Sequence, residues 1–143
     1  MSATLDANVL VYASNEADPV HEQALGLVEG LAAGPDLVHL FWPTLLGYLR
    51  IVTHSGILPR PLPPDVAMAN VGALVALPHV RVGAEMDGFW ELFRETAGTH
   101  ARGRDLPYAH LATLMRQHGV RRIYTRDRGF RRFDGIEAVD PFA

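Results

Sequence analysis

The sequence predicts an α/β fold: a three-layer sandwich whose central, mainly parallel sheet of about five strands carries helices on both faces. Three observations predict it. Short apolar, β-prone runs recur along the chain, stretches with apolar residues at helical spacing separate them, and no linker, repeat or low-complexity segment interrupts the alternation. Strands joined through helices lie parallel and are covered on both sides. With 143 residues, 48% of them hydrophobic, the chain has material for one such core, read as a single domain over residues 1–143.

Taken in order, Thr4–Ala13 is an apolar, β-prone run and reads as the first strand. Val20–Ala33 has helical spacing and stops at Gly34-Pro35. Leu37–Leu40 is a second strand, Thr44–Thr53 a helix, and the proline-rich segment 58–64 a stiff loop before the helix Asp65–Ala76. Val80–Val82 follows as a strand. Met86–Ala97 then carries Phe89, Trp90 and Phe93 as an aromatic stripe at helical spacing. Pro107–His118 is a helix with proline in its first turn and Gly119 past its end. Arg122–Thr125 and Ile136–Val139 complete the strands.

Composition excludes several classes. No apolar run approaches the roughly 20 residues that span a bilayer, and no basic residue precedes the first apolar stretch, as a signal peptide would require. With no cysteine there is no disulfide framework, thiolate nucleophile or cysteine-held zinc. A cytoplasmic domain without membrane association is expected. The net charge of −3 hides an asymmetry: residues 1–100 carry four arginines against eleven acids, residues 101–143 nine against five, and lysine is absent. Arginine favours planar bidentate partners such as phosphate and carboxylate, so the basic C-terminal third suits RNA or an acidic protein segment. A solvated helix face is the other reading of the same residues.

In open parallel sheets chemistry sits beyond the carboxyl ends of the strands, which directs attention to three acids. Asp6 lies in the first apolar run, where a carboxylate must be paired, hydrogen-bonded or metal-bound. Asp127 follows the strand Arg122–Thr125, and Asp105 precedes the helix at Pro107. Each also has a plainer reading as a cap on backbone N–H groups. Three carboxylates from separate segments at one sheet end make a hard-cation site for Mg²⁺, or Mn²⁺ in its place. Such an ion activates water and neutralises charge developing on a phosphodiester. Asn8 and Thr125 stand beside these acids as substrate-orienting groups, and Arg126, Arg128, Arg131 and Arg132 are candidates to hold RNA phosphates. Glu22 is a further acid with no motif behind it. The seven histidines form no metal-binding pair, His110 reads as partly buried, and Trp42 and Trp90 read as core. No nucleophile elbow or phosphate-binding glycine loop occurs.

Leu5-Asp-Ala-Asn-Val-Leu10 resembles the first motif of the PIN-domain family. Tyr48-Leu-Arg-Ile-Val-Thr-His54, Ala109-His-Leu-Ala-Thr-Leu114, Tyr124-Thr-Arg-Asp-Arg-Gly-Phe-Arg-Arg-Phe133 and Gly135-Ile-Glu-Ala-Val-Asp-Pro-Phe142 are similar to later motifs of its VapC-type toxin branch, in order along essentially the whole chain. The resemblance implies a PIN-like sandwich and a Mg²⁺-dependent endoribonuclease, inhibited by a cognate VapB-type antitoxin and homodimeric. Asp6 and Asp127 match the family's acids residue by residue. Three positions depart from its pattern: Thr44-Leu-Leu-Gly47 has no glutamate, Tyr108 replaces the third-motif aspartate, and Gly129 stands where a second aspartate is common. Asp105, three residues ahead of Tyr108, is the candidate replacement acid. The departures leave a second reading open, a PIN fold with impaired catalysis that binds RNA or antitoxin. A haloacid-dehalogenase-like phosphatase, which would need an acid at Asn8, fits less well.

Overall fold

The computed structural model describes residues 2–143. Five strands form one wholly parallel sheet: β1 (Ala3–Leu5), β2 (Val38–Phe41), β3 (Val80–Gly83), β4 (Arg122–Tyr124) and β5 (Glu137–Val139), in the order β3-β2-β1-β4-β5. Helices α1 (Ala7–Ser14), α2 (His21–Ala33), α3 (Trp42–Val52) and α4 (Pro64–Val75) lie in the first two crossovers, and α5 (Phe89–Ala97) and α6 (Asp105–Gln117) lie in the third. A 3-10 turn, Arg128–Arg132, joins β4 to β5.

The period-2 geometry of the strands divides the core into two layers. Leu5, Val38 and Leu40 pack with α1, α3 and α4, including Val9, Leu45, Tyr48 and Val71. Phe41 and Ile123 face the other way, against Ala109, Ala112, Leu114 and Met115 of α6 and Phe130 of the 3-10 turn. Tyr48 accepts from Asn70 at 3.0 Å and hydrogen-bonds Ser14 at 2.7 Å, so one phenol ties α1, α3 and α4 together.

The expected first strand, Thr4–Ala13, is corrected: only Ala3–Leu5 is extended, and Ala7–Ser14 is helix. Asp6 makes the break. It sits at φ −72°, ψ 146°, and its side chain accepts the Asn8 N–H, so it ends the strand and caps α1 in one residue. The β-branched residues that suggested a strand cost a helix at most about 0.7 kcal/mol each. Val9, Leu10 and Val11 are all buried, and burying such side chains contributes roughly 1.5–3 kcal/mol apiece. The other helices and strands fall within a few residues of their expected bounds. Trp42 and Trp90 are not core: they are 43% and 64% exposed. His110 is partly buried, as expected, and pairs with Glu85 at 2.6 Å. Among the described residues no helix is long and apolar enough to cross a membrane.

The chain leaves β1 for β2 and β3 on one side and returns to β4 on the other, which makes the β1/β4 junction the switch point where parallel sheets open a ligand crevice. On the α6 side of β2, His39 is packed near Phe41 and His118, and its Nδ1 is buried without a hydrogen-bond partner. Burial, and then the charges of His118 and Arg81, lower its pKa from 6.5. The unfolded chain therefore takes up a proton near pH 6.5 that the folded protein resists. Folding stability should fall as pH drops below 6.5, and His39→Leu should flatten that part of the profile, as read by urea unfolding between pH 5 and 7.5.

Candidate functional site

The site is built by the register of two strands. Leu5 pairs with Tyr124, and the Asp6 N–H donates to the Tyr124 carbonyl at 3.1 Å, so Asp6 and Thr125 emerge side by side at the carboxyl edge. The buried Thr125 hydroxyl donates to Asp6 Oδ2 at 2.8 Å and accepts the Asp127 N–H at 2.9 Å. Asp127 caps the 3-10 turn, its Oδ1 accepting the Gly129 N–H at 3.0 Å. Its other oxygen, Oδ2, accepts a short hydrogen bond from the Tyr108 hydroxyl on the first turns of α6. The two matched acids thus come together as expected, and the capping role weighed for each is realised at the same time.

The electrostatics follow from this crowding. Burial pushes the Asp6 carboxyl above its ordinary 3.8 and the charge of Asp127 adds to the rise; the Thr125 hydroxyl and the N–H groups of Asn8 and Ala7 oppose it. The Tyr108 phenol is pushed up to about 12, chiefly by its bond to Asp127, then by burial, with the Asp127 and Asp6 charges contributing. A tyrosine so placed is a neutral donor at physiological pH.

These groups open on a cleft of about 320 Å³ whose lining includes Asp6, Asn8, Thr44, Gly47, Arg50, Arg104, Tyr108 and Asp127. Asn8 is where the sequence suggested. Asp105 is a correction: it begins α6, because the helix starts two residues ahead of Pro107, but its carboxylate is outside the lining. It pairs with Arg132 at 3.2 Å and accepts the Arg102 N–H at 3.4 Å. These contacts hold its carboxyl below the ordinary 3.8, the Arg102 N–H most of all. Glu22 is exposed on α2, also outside the lining. Among the described residues no three Asp, Glu or His side chains cluster as a metal-holding group. The pair Asp6/Asp127 nevertheless has the oxygen donors that a hard divalent cation takes, with water completing its shell.

The expected phosphate-binding arginines lie outside this lining. The Arg126 guanidinium stands 5.6 Å from the Tyr12 and Phe142 ring centres, and that of Arg132 lies over Phe133 at 5.2 Å. Arg128 and Arg131 are exposed on the 3-10 turn. The arginines at the cleft are Arg50 and Arg104, which sequence reasoning did not single out. A signal was present: Arg50 lies one helical turn beyond Gly47, three residues apart on one face of α3.

A family model for the PIN domain matches residues 3–136. The chain is 49% identical over 144 residues to Ribonuclease VapC48 of Mycobacterium tuberculosis, a match covering 100% of this chain and 99% of that protein. In three dimensions it resembles the crystal structure of M. tuberculosis VapC20, described as a sarcin–ricin loop cleaving toxin. The TM-score is 0.67 at 20% identity, with 94% of this chain and 98% of that one covered. It likewise resembles VapBC2 from Rickettsia felis bound to a DNA fragment from their promoter, with a TM-score of 0.62 at 15% identity and coverage of 97% and 98%.

The Thr125 hydroxyl is the hinge between both acids, and its loss leaves two part-buried groups short of a partner. Thr125→Val should cost about 1–3 kcal/mol of unfolding free energy, measured by urea denaturation in chelator-treated buffer.

Proposed function

The chain belongs to the PIN-domain family, and from that premise we propose that it is a divalent-metal-dependent endoribonuclease, the toxin of a toxin–antitoxin pair. The observation that carries this reading is the Asp6–Thr125–Asp127 arrangement at the sheet's switch point, found in a chain 49% identical throughout to a protein named as a VapC ribonuclease. Asp6 and Asp127 would hold Mg²⁺, with Mn²⁺ able to take its place. When bound, the cation supplies water activation and neutralises charge on the phosphodiester. The protein's own groups do the rest. Thr125 orients the Asp6 carboxylate through its hydroxyl, and the backbone N–H groups of Asn8 and Gly129 fix the acids from the other side. The Asn8 side chain orients the substrate.

The RNA strand would cross the cleft between Arg50 and Arg104, with Arg128 and Arg131 extending the cationic surface beyond it. This keeps the expected substrate class and adds the arginines that line the cleft. A cognate VapB-type antitoxin is the proposed partner, in line with the Rickettsia felis neighbour seen as VapBC2. A homodimer is the proposed assembly, and the neighbouring exposed Trp42 and Leu46, one helical turn apart on α3, are the apolar groups a second copy would cover. Residues 1–143 would act as one domain in the cytoplasm.

Asp6→Asn should abolish Mg²⁺-dependent cleavage of a structured RNA by the purified protein, and unchanged cleavage would overturn the assignment. Asp105→Asn should keep cleavage near the wild-type rate, because that carboxylate serves Arg132 and not the cleft. In the Asp6→Asn background, Arg50→Ala and Arg104→Ala should each weaken single-stranded RNA binding. Each should also reduce the slope of log K against log salt by about 0.7, read by fluorescence anisotropy.

A further inference from the structure

We propose that in the metal-free protein the Tyr108 hydroxyl occupies the cation position between Asp6 and Asp127, that Gly129 is the residue that admits its ring, and that cation entry must displace this hydroxyl. The inference rests on the metal-dependent reading above and deepens it. Asp127 has two oxygens, and both are engaged: Oδ1 by the Gly129 N–H at 3.0 Å, Oδ2 by the Tyr108 hydroxyl. Asp6 Oδ2 is engaged by Thr125 and Asp6 Oδ1 by the Asn8 N–H at 3.4 Å. Of these four donors, three come from residues two positions along the chain from an acid or beside it at the strand ends. The Tyr108 hydroxyl is the one that belongs to the cleft wall, and it lies within the field of both carboxylates. Its hydrogen supplies the positive end that a cation would otherwise provide, so the acid pair is satisfied when no ion is bound.

The ring is held in this place by a specific absence of bulk. A Cβ at Gly129 would lie 2.5 Å from Tyr108 Cε2 and 2.7 Å from Cδ2, closer than real Cβ contacts come. Gly129 is not among the glycines with positive φ, so its small size serves the ring and not an unusual backbone. Phe130 closes the other approach, edge-on to the phenol with ring centres 5.1 Å apart. Tyr108 and Gly129 are thus one unit: the missing side chain on the 3-10 turn is the space the ring fills. A cation that coordinates Asp127 through Oδ2 competes with the hydroxyl for that oxygen.

Metal loading tests this directly. Chelator-stripped wild type, Tyr108→Phe, Gly129→Ala and Asp6→Asn would be titrated with Mn²⁺ by calorimetry and by the electron paramagnetic resonance of the free ion, with circular dichroism verifying the fold. Tyr108→Phe should bind Mn²⁺ about tenfold more tightly, the ratio expected when a competing hydrogen bond to a charged oxygen is lost. Gly129→Ala, which pushes the ring away, should move affinity in the same direction, and Asp6→Asn should remove the site. In wild type, Mn²⁺ should perturb the tyrosine absorbance, and Tyr108→Phe should lose that signal. Unchanged or weaker Mn²⁺ binding in Tyr108→Phe, with the site still dependent on Asp6, overturns the displacement while leaving the metal-dependent reading intact. If no variant shows an Asp6-dependent ion, that reading fails and this one with it. Should Gly129→Ala not fold, the Tyr108→Phe result decides alone.

Discussion

Two carboxylates can be held together in a half-buried cleft only if something positive meets them, and the architecture at the sheet's carboxyl edge is arranged around that constraint. Like charges at close range raise each other's pKa, and desolvation adds to the effect. The protein answers with donors placed by its secondary structure. Asp6 receives an N–H at the start of α1, Asp127 one at the start of the 3-10 turn, and a single threonine hydroxyl links them across the β1/β4 pairing. Both helical starts also present the positive end of aligned peptide dipoles to the acids, though five residues of 3-10 turn contribute less than eight of α-helix. Shifting the β1/β4 register by one residue would undo all of this at once, because Thr125 would no longer stand beside Asp6.

The same register explains why a chain with a modest net charge carries such unequal ends. The acid-rich first hundred residues supply β1 and its helices, and the arginine-rich remainder supplies β4, the 3-10 turn and α6. Pairing β1 with β4 brings the two populations together at the cleft. Several of the arginines, however, are spent on the protein itself. Arg132 serves Asp105, Arg116 reaches Thr96 at 2.9 Å and the Asp134 carbonyl at 2.7 Å, and Arg122 pairs with Glu137 at 3.2 Å. A basic tract in sequence is therefore a poor count of the cations available to a substrate, since placement decides which remain for it.

Much of the fold was legible because parallel α/β architecture writes itself in alternation: the strands, the helices and the two-faced core follow from apolar spacing. The segment after Leu5 was not legible. Val9-Leu-Val11 has the composition of a strand, and only the knowledge that Asp6 caps a helix there reverses the assignment. The exposed Trp90 was misread for a related reason, since helical spacing marks a stripe without saying whether anything covers it. Thr125 and Asp127 could be found by asking which polar residues end strands, and Asp6 and Asn8 by asking why polar groups interrupt an apolar run. Arg50 and Arg104 were harder to find, because one lies within α3 and the other just ahead of α6, more than fifty residues apart, and only the spacing of Arg50 from Gly47 pointed to either. Asp105 was attractive by spacing alone, yet a neighbouring arginine determines where its carboxylate points.

Counting acids against a family pattern treats each departure as a separate loss. Tyr108 and Gly129 look like two losses in sequence and are one change in space, because a ring at the first position needs the absence of a Cβ at the second. A carboxylate at Tyr108 would have brought a further negative charge into a cleft where burial and repulsion already raise Asp6. A phenol brings none, and donates the hydrogen bond that Asp127 otherwise lacks on Oδ2. The cleft thereby keeps two acids with every oxygen engaged in the metal-free protein, at the cost of a weaker field for attracting a divalent ion. Thr44, in the segment Thr44–Gly47 that has no glutamate, is consistent with the same economy of charge: it lines the cleft as a buried hydroxyl and adds no repulsion. The site therefore holds a low charge with a hydrogen bond on every carboxylate oxygen, and under the proposed displacement its affinity for a cation would be set by how readily the bond from Tyr108 gives way.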